Sequence, residues 1–380
     1  MYKRTLTILM LLIFSAGAPA AFGQSTPEAS PRGGQTPRPK PPKPDKAPTA
    51  TPAPSIPGYE QVPVEPVNVK LARGGKVAIS SRSGQIIING WDRDTVQANA
   101  TGENGPVQID TQTTGDPARP RLLLTISPRR FGRDARLEVK VPRYADVETL
   151  EGYRGDIEVT DIEGSTLINA GNGDVKITRV GSLKVSRRSG DVTVREVKDD
   201  LTARSYNGDV VVDTVGGLVD VAASNGDLRV HNVGGDVRAN SATGDIEVRC
   251  AKGRAEVSSA SGGITLIGVG GDVDASTASA DVTFVGTMKA GGNYRLKSLS
   301  GDVSMTVQPD APGFTATLTT YSGSINTDFP LKVESPVQGG PINRRITGAY
   351  GNGQAKLALD SFSGLVRIAK GTAAALKQCK

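Results

Sequence analysis

The residues best suited to chemistry are acidic and recur at a fixed interval. Between positions 156 and 281 one turn position, which usually carries Asp, recurs every 18 residues, with one interval of 17. The Gly-Asp pairs are Gly155-Asp156, Gly173-Asp174, Gly190-Asp191, Gly208-Asp209, Gly226-Asp227, Gly244-Asp245 and Gly301-Asp302. Calcium-binding β-rolls also align Asp and Gly, but they use nonapeptide units with extra glycines. One Asp per 18 residues favours a structural turn role, so we expect no metal site.

A catalytic site is hard to assemble from this sequence. It contains one histidine, His231, and no Gly-x-Ser-x-Gly nucleophile elbow, so nothing supports a Ser-His-Asp triad. A polysaccharide-cleaving enzyme on a repetitive β-fold would need long loops that build a cleft. The constant spacing between positions 156 and 281 leaves no room for such loops. We expect no catalytic residues and no cofactor.

The two cysteines, Cys250 and Cys379, lie 129 positions apart. An oxidising compartment would permit a disulfide between them, but the sequence does not indicate how close they come, so their pairing stays open. No Cys-x-x-Cys motif is present, which argues against a zinc site.

Aliphatic and polar residues alternate within each repeat, which predicts two short strands joined by glycine-containing corners. After Asp209, for example, Val210, Val212 and Val215 precede Gly216-Gly217. One unit buries too little to offset the entropy of ordering it, so the units are stable only as a stack. We therefore predict an all-β fold: a parallel β-solenoid of about 18 residues per coil, with irregular β caps at both ends.

Two columns are predicted to run along this stack. The inward column alternates large and small side chains: Val185, Ala203, Val221, Ala239, Val257 and Ala275. The second column places a hydroxyl three residues before the turn glycine: Ser205, Ser241, Ser259, Thr277, Ser298, Thr320 and Ser361. We expect these hydroxyls to form hydrogen bonds along the turn.

The N-terminal region has the features of an export signal followed by a spacer. Residues 1–23 contain Lys3, Arg4 and an apolar run, with predicted cleavage before Gln24 and an alternative motif at Ala18-Pro19-Ala20. Residues 24–57 contain eleven prolines, which predicts a disordered tether. The apolar run is too short to span a bilayer, and we expect no transmembrane segment in the mature chain.

Positive charge is concentrated in this tether. The net charge of +6 falls to +4 without the signal peptide, and residues 24–57 carry +3 of it. The remainder is close to neutral, so we expect no nucleic-acid partner. We divide that remainder into a β lead-in at 58–150, a solenoid at 151–370 with an inserted loop near 329–350, and a tail at 371–380.

Several motifs together resemble a known family. They are Ser83-Gly84-Gln85-Ile86, Gly90-Trp91-Asp92, Leu137-Glu138-Val139-Lys140-Val141-Pro142, the Gly-Asp repeats and the closing Ser361-Phe362-Ser363-Gly364-Leu365-Val366. This ordered set, over about residues 67–370, is similar to the bacterial adhesin-like family of exported β-repeat domains, also called toast-rack domains. The resemblance implies a non-enzymatic domain of the periplasm or cell surface and supplies no catalytic residues.

The sequence therefore favours an exported, non-catalytic binding or scaffold module of the bacterial envelope. Its partner would be an envelope protein or a cell-surface polymer, and its oligomeric state stays open. An envelope-stress accessory domain that acts by protein–protein contact is the alternative, and a polysaccharide-active enzyme is the second alternative.

Overall fold

The computed structural model describes residues 66–102, 105–126, 135–333, 344–372 and 379. All of them belong to the second of two compact units, Gln61–Lys380. The predicted signal peptide and tether lie outside the described residues, as do positions 334–343 of the predicted inserted loop and most of the predicted tail.

The regular elements of the described residues are β-strands. The N-terminal strands are β1 Val67–Lys70, β2 Lys76–Ser80, β3 Gln85–Trp91, β4 Thr95–Gly102, β5 Gly105–Val107, β6 Ile109–Asp116, β7 Arg119–Ile126, β8 Arg136–Pro142 and β9 Asp146–Arg154. The central strands are β10 Ile157–Asn172, β11 Val175–Ser189, β12 Val192–Val197, β13 Leu201–Asn207, β14 Val210–Val215, β15 Val219–Asn225, β16 Leu228–Val233, β17 Val237–Thr243, β18 Ile246–Ala251, β19 Ala255–Ser259, β20 Ile264–Ile267, β21 Val273–Thr277, β22 Val282–Gly286, β23 Asn293–Ser298 and β24 Val303–Val307. The C-terminal strands are β25 Phe314–Thr320, β26 Ile325–Thr327, β27 Lys332–Val333, β28 Arg344–Tyr350, β29 Ala355–Ser361 and β30 Val366–Lys370.

Each strand from β12 to β22 pairs in parallel with the strand two positions later. The even-numbered strands β12 to β24 form one sheet. The odd-numbered strands β13 to β23 form the other. Consecutive strands therefore belong to opposite sheets, and one strand of each makes a coil. The predicted all-β solenoid is confirmed.

The predicted inward column lies in the core between the two sheets. Val221 pairs with Ala203 on one side and with Ala239 on the other, and all three are fully buried. Because strand side chains alternate, Asp220 points outward, where its carboxylate lies 2.6 Å from the guanidinium of Arg204.

Glycine is required at the corner that carries the Gly-Asp pairs. Gly208 has φ +117°, a left-handed conformation that L side chains rarely adopt, and a Cβ there would overlap the carbonyl oxygen of Gly190. The preceding and following turn glycines share this conformation: Gly155, Gly173, Gly190, Gly226 and Gly244.

A second corner is left-handed without glycine, which the sequence did not reveal. Six residues at the repeat interval have φ between 55° and 62°: Asp161, Arg179, Glu196, Thr214, Asn232 and Cys250. Gly268 continues the row with φ +66°. Arg179 Nε donates a hydrogen bond to Asp161 Oδ1 at 2.6 Å, and this bond lowers the pKa of Asp161.

At both ends the order of coils in space differs from their order in the chain. Near the N-terminus β2 and β3 stack on β9 and β10, whereas β7 and β8, which come between them in sequence, stack on the outer side of β2 and β3. Near the C-terminus β29 and β30 stack on β23 and β24. The earlier strands β25 and β26 stack outside β29 and β30.

Antiparallel strands cover parts of both outer coils. β4 pairs with β8 and β6 with β7 at one end, and β28 pairs with β25 at the other. Such strands occupy edges that would otherwise be open to pairing with another chain.

We predict that Val221→Asp lowers the free energy of unfolding by more than about 3 kcal/mol, because it buries a carboxylate with no partner. Asp220→Val loses an exposed ion pair worth less than about 1 kcal/mol. Urea titration of both variants would measure the difference. A larger loss for Asp220→Val would contradict the register.

A candidate anion-binding cavity

In the sheet formed by the odd-numbered solenoid strands, the last residue before each turn is buried and usually carries a hydroxyl. Thr277 Oγ1 donates to the carbonyl oxygen of Gly262 at 2.8 Å, and Ser361 Oγ donates to that of Gly301 at 2.8 Å. These bonds tie the turn of one coil to the turn of its neighbour. They agree with the hydroxyl role that the sequence predicts, whereas the buried hydroxyls of Ser205 and Ser241 have no hydrogen-bond partner among the described residues.

Arg187 occupies this position in an early coil. It pairs with Ser205 of the next coil, and only 4% of its surface is exposed. Its Nε donates to the carbonyl oxygen of Ser189 at 3.1 Å. A long cationic side chain thus occupies a position where the neighbouring coils have Ser or Ala.

A cavity of about 840 Å³ opens beside this arginine. Its lining residues are Arg154, Asn169, Ala170, Gly171, Asn172, Ser186, Arg187, Arg188, Ser189, Tyr206 and Asn207. Three are arginines, and none of the described lining residues carries a carboxylate. Tyr206 is 58% exposed at the rim. The cavity therefore combines three permanent positive charges with neutral amides and hydroxyls.

This arrangement suits an anion better than a metal or a reaction. Guanidinium groups bind carboxylate or phosphate oxygens through paired N–H donors, and the amides of Asn172 and Asn207 can donate to neighbouring oxygens. Burial of the Arg187 stem and its bond to the backbone limit the side-chain entropy that binding would cost.

The Asp residues of the Gly-Asp pairs form a row along one corner, which we call the Asp row, and their recurrence has a structural explanation. Oδ1 of each turn Asp accepts a hydrogen bond from the backbone N–H of the equivalent residue in the next coil. The bonds from Asp174 to Asp156, Asp191 to Asp174, Asp209 to Asp191, Asp227 to Asp209 and Asp245 to Asp227 measure 2.7–3.0 Å. Asp302 continues the pattern across the reordered coils, since it accepts from Leu365 N at 2.8 Å.

Comparison with protein families identifies the repeats. A family model described as Toastrack DUF4097 matches the chain twice, over residues 76–266 and 219–369. These matches cover most of the chain. The chain belongs to the Toastrack DUF4097 family. The resemblance seen in the sequence motifs is therefore confirmed.

Among solved structures, one match is described as a "putative cell adhesion protein" from Clostridium sporogenes ATCC 15579. It is 10% identical, with a TM-score of 0.22, and the match covers 81% of this chain and 100% of that one. No curated protein matches the Toastrack chain.

The arginine cavity was missed at the sequence level, although a signal was present. The Toastrack repeats carry Ser, Thr or Ala at the buried turn position from Ser205 onward, and Arg187 interrupts this column. A charged residue at a position that the repeat otherwise buries marks a departure from the structural pattern. That departure was the available clue.

The structure joins Cys250 and Cys379 in a disulfide, with Cα atoms 5.3 Å apart. The bond attaches position 379 to the left-handed corner of a central Toastrack coil, where Cys379 Sγ lies 3.8 Å from the carbonyl oxygen of Ile267.

In the described ranges no group of three or more His, Cys, Asp or Glu residues is arranged to hold a metal ion. Over the same ranges no helix is long and apolar enough to cross a membrane.

Asp245 offers a test of the Asp row, because its Oδ1 accepts from Gly263 N at 2.8 Å. We predict that Asp245→Ala lowers the free energy of unfolding by about 1 kcal/mol. Asp245→Asn keeps an acceptor oxygen and should cost less than half as much. Thermal and urea unfolding would compare them, and equal losses would show that the negative charge matters more than the hydrogen bond.

Proposed function

We propose that this Toastrack domain is an exported, non-catalytic binding module of the bacterial envelope, and that its arginine-lined cavity binds an anionic group of a cell-surface polymer. One observation carries the proposal: Arg154, Arg187 and Arg188 line one cavity, and none of the lining residues that the structure describes carries a carboxylate. The signal peptide predicted at 1–23 and the tether predicted at 24–57 support the proposal, since they would export the domain and extend its reach.

The three arginines contribute differently. Arg187 is buried, including its terminal guanidinium nitrogens, and its Nε donates to the Ser189 carbonyl, so it contributes a fixed positive charge beside the cavity rather than a donor open to the ligand. Arg188 is exposed and can adjust to the ligand. An anion in the cavity would be attracted by these positive charges.

Carboxylate and phosphate groups share the required chemistry. Acidic sugars provide carboxylates, and phosphate-linked surface polymers provide phosphates. Binding at a single exposed cavity would be weak and would decrease as salt screens the charges. A polymer that presents many such groups compensates by offering the cavity many chances to rebind.

The matched test uses Arg188→Gln and Arg154→Gln with Arg195→Gln as the control, since Arg195 is exposed on β12 and is not among the lining residues. Isothermal titration of the full mature chain with trigalacturonate and with tripolyphosphate would give affinities at low and high salt. We expect about three- to tenfold weaker binding for each cavity variant and no change for Arg195→Gln, because a charge-assisted hydrogen bond contributes about 1 kcal/mol or more.

The design separates the cavity from the tether. The tether's net charge of +3 is the same in every variant, so nonspecific attraction cancels in the comparison. Equal weakening by Arg195→Gln would overturn the proposed site. Preference for one of the two ligands would identify the anion.

Export has its own test. We expect the mature protein in the envelope fraction to begin at Gln24, or just after Ala20 if the alternative motif is cleaved. Mass spectrometry of the N-terminal peptide, combined with cell fractionation, measures both. A cytoplasmic protein that retains Lys3 and Arg4 would contradict the envelope location.

A further inference from the structure

A row of turn residues continues from the cavity along the same corner of the solenoid. We call it the tip row, and its members in spatial order are Arg188, Tyr206, Ser224, Ala242, Ala260, Ala278, Leu299, Phe362 and Tyr321. Backbone hydrogen bonds hold its last members together: Phe362 N donates to the Ser298 carbonyl at 3.3 Å, and Tyr321 N donates to the Phe362 carbonyl at 3.1 Å.

The tip row ends in exposed apolar side chains. Leu299, Phe362 and Tyr321 are 49%, 50% and 45% exposed. The rings of Phe362 and Tyr321 stack with centroids 4.7 Å apart and planes 5° from parallel. The three residues are neighbours because of the reordered C-terminal coils. Between them and Tyr206 the row contains only Ser and Ala, so nothing bulky interrupts it.

A polar row runs beside the tip row, one residue further along each turn. Its members are Ser189, Asn207, Asn225, Thr243, Ser261, Ser279, Ser300, Ser363 and Ser322. Asn225 Nδ2 donates to Asn207 Oδ1 at 2.7 Å, and Thr243 Oγ1 donates to Asn225 Oδ1 at 2.9 Å. Every coil thus presents a neutral hydroxyl or amide, repeated about every 4.8 Å.

We propose that the two rows form a track for one extended acidic polysaccharide. An acidic group of the chain occupies the arginine cavity, sugar hydroxyls bond to the polar row, and a sugar ring packs against the Phe362–Tyr321 pair. The proposal rests on the proposed function, because the cavity anchors one end. At about 4.8 Å per coil the track from Arg188 to Tyr321 is about 40 Å long.

Three features favour a polysaccharide over a protein partner. The row members repeat at one spacing, which suits a polymer of repeated units. Arg188 is the one charged member among the described residues of the two rows, so positive charge within the rows is confined to the cavity end. The middle of the track is small and polar, whereas the centre of a protein–protein interface is enriched in large apolar residues.

The track makes affinity depend on ligand length. A short acidic oligosaccharide can reach the cavity alone, whereas one that spans the track also contacts the aromatic pair, and the second contact is then intramolecular. A longer oligosaccharide also binds with higher apparent affinity for a statistical reason, because any one of its more numerous acidic groups can enter the cavity. That gain does not depend on Phe362 and Tyr321.

The experiment compares trigalacturonate with oligogalacturonates of ten or more units on the full mature chain. Phe362→Ala and Tyr321→Ala remove the aromatic pair, and Val333→Ala is the control, since Val333 is 51% exposed and lies outside both rows. We expect each aromatic variant to bind the trimer as the parent does and the long oligomer about tenfold more weakly. Val333→Ala should bind both as the parent does.

The outcomes separate the track from the cavity. If Arg188→Gln weakens trimer binding but the aromatic variants leave long oligomers unaffected, the cavity stands and the track is wrong. If neither length binds, both proposals fail for acidic sugars. If the aromatic variants instead abolish a dimer seen by analytical ultracentrifugation, while sugar affinity is unchanged, the aromatic pair contacts a second copy and the track is overturned.

Discussion

The parallel hydrogen-bond ladder between successive coils is the constraint on which the rest of the structure depends. Each coil satisfies its backbone donors and acceptors with the coils on either side, so equivalent residues must superpose about every 4.8 Å. Each side chain must therefore pack against the side chains at the same position in the coils above and below. This is why Val221 lies between two alanines, why the turn Asp residues bond to one another's amides, and why a Cβ at Gly208 would strike the coil below.

The same constraint makes departures from the repeat informative. A position that contributes only to stacking accepts small variation, such as Ser, Thr or Ala in the buried turn column. Arg187 does not belong to that range, and its burial places a permanent charge at the edge of a cavity. Likewise, the apolar side chains of Leu299, Phe362 and Tyr321 contribute little to the core because about half of each is exposed. Both departures occur along one corner.

The repeat pattern was sufficient to predict the coil, its inward columns and its hydroxyl column, because those features depend on neighbours at a constant interval. The left-handed corner was not predictable, since its occupants, from Asp161 to Cys250, share a backbone conformation but no side-chain chemistry. The disulfide depends on the path of the chain after β30, which has no repeat. The cavity depends on which turns become adjacent and on how Arg187 packs, and a linear pattern does not contain either.

The reordered coils at the two ends bear on how such a protein can change in length. β7–β8 and β25–β26 are each outermost in space but connected in the chain to coils further in. A repeat duplicated next to β7–β8 or β25–β26 would therefore have to fit beside the segment that connects the outermost coil to the coils further in. Gene duplication would lengthen this solenoid most simply between positions 157 and 307, where chain order and spatial order coincide. The terminal coils would then be inherited unchanged, while the number of interior coils would be free to vary between relatives.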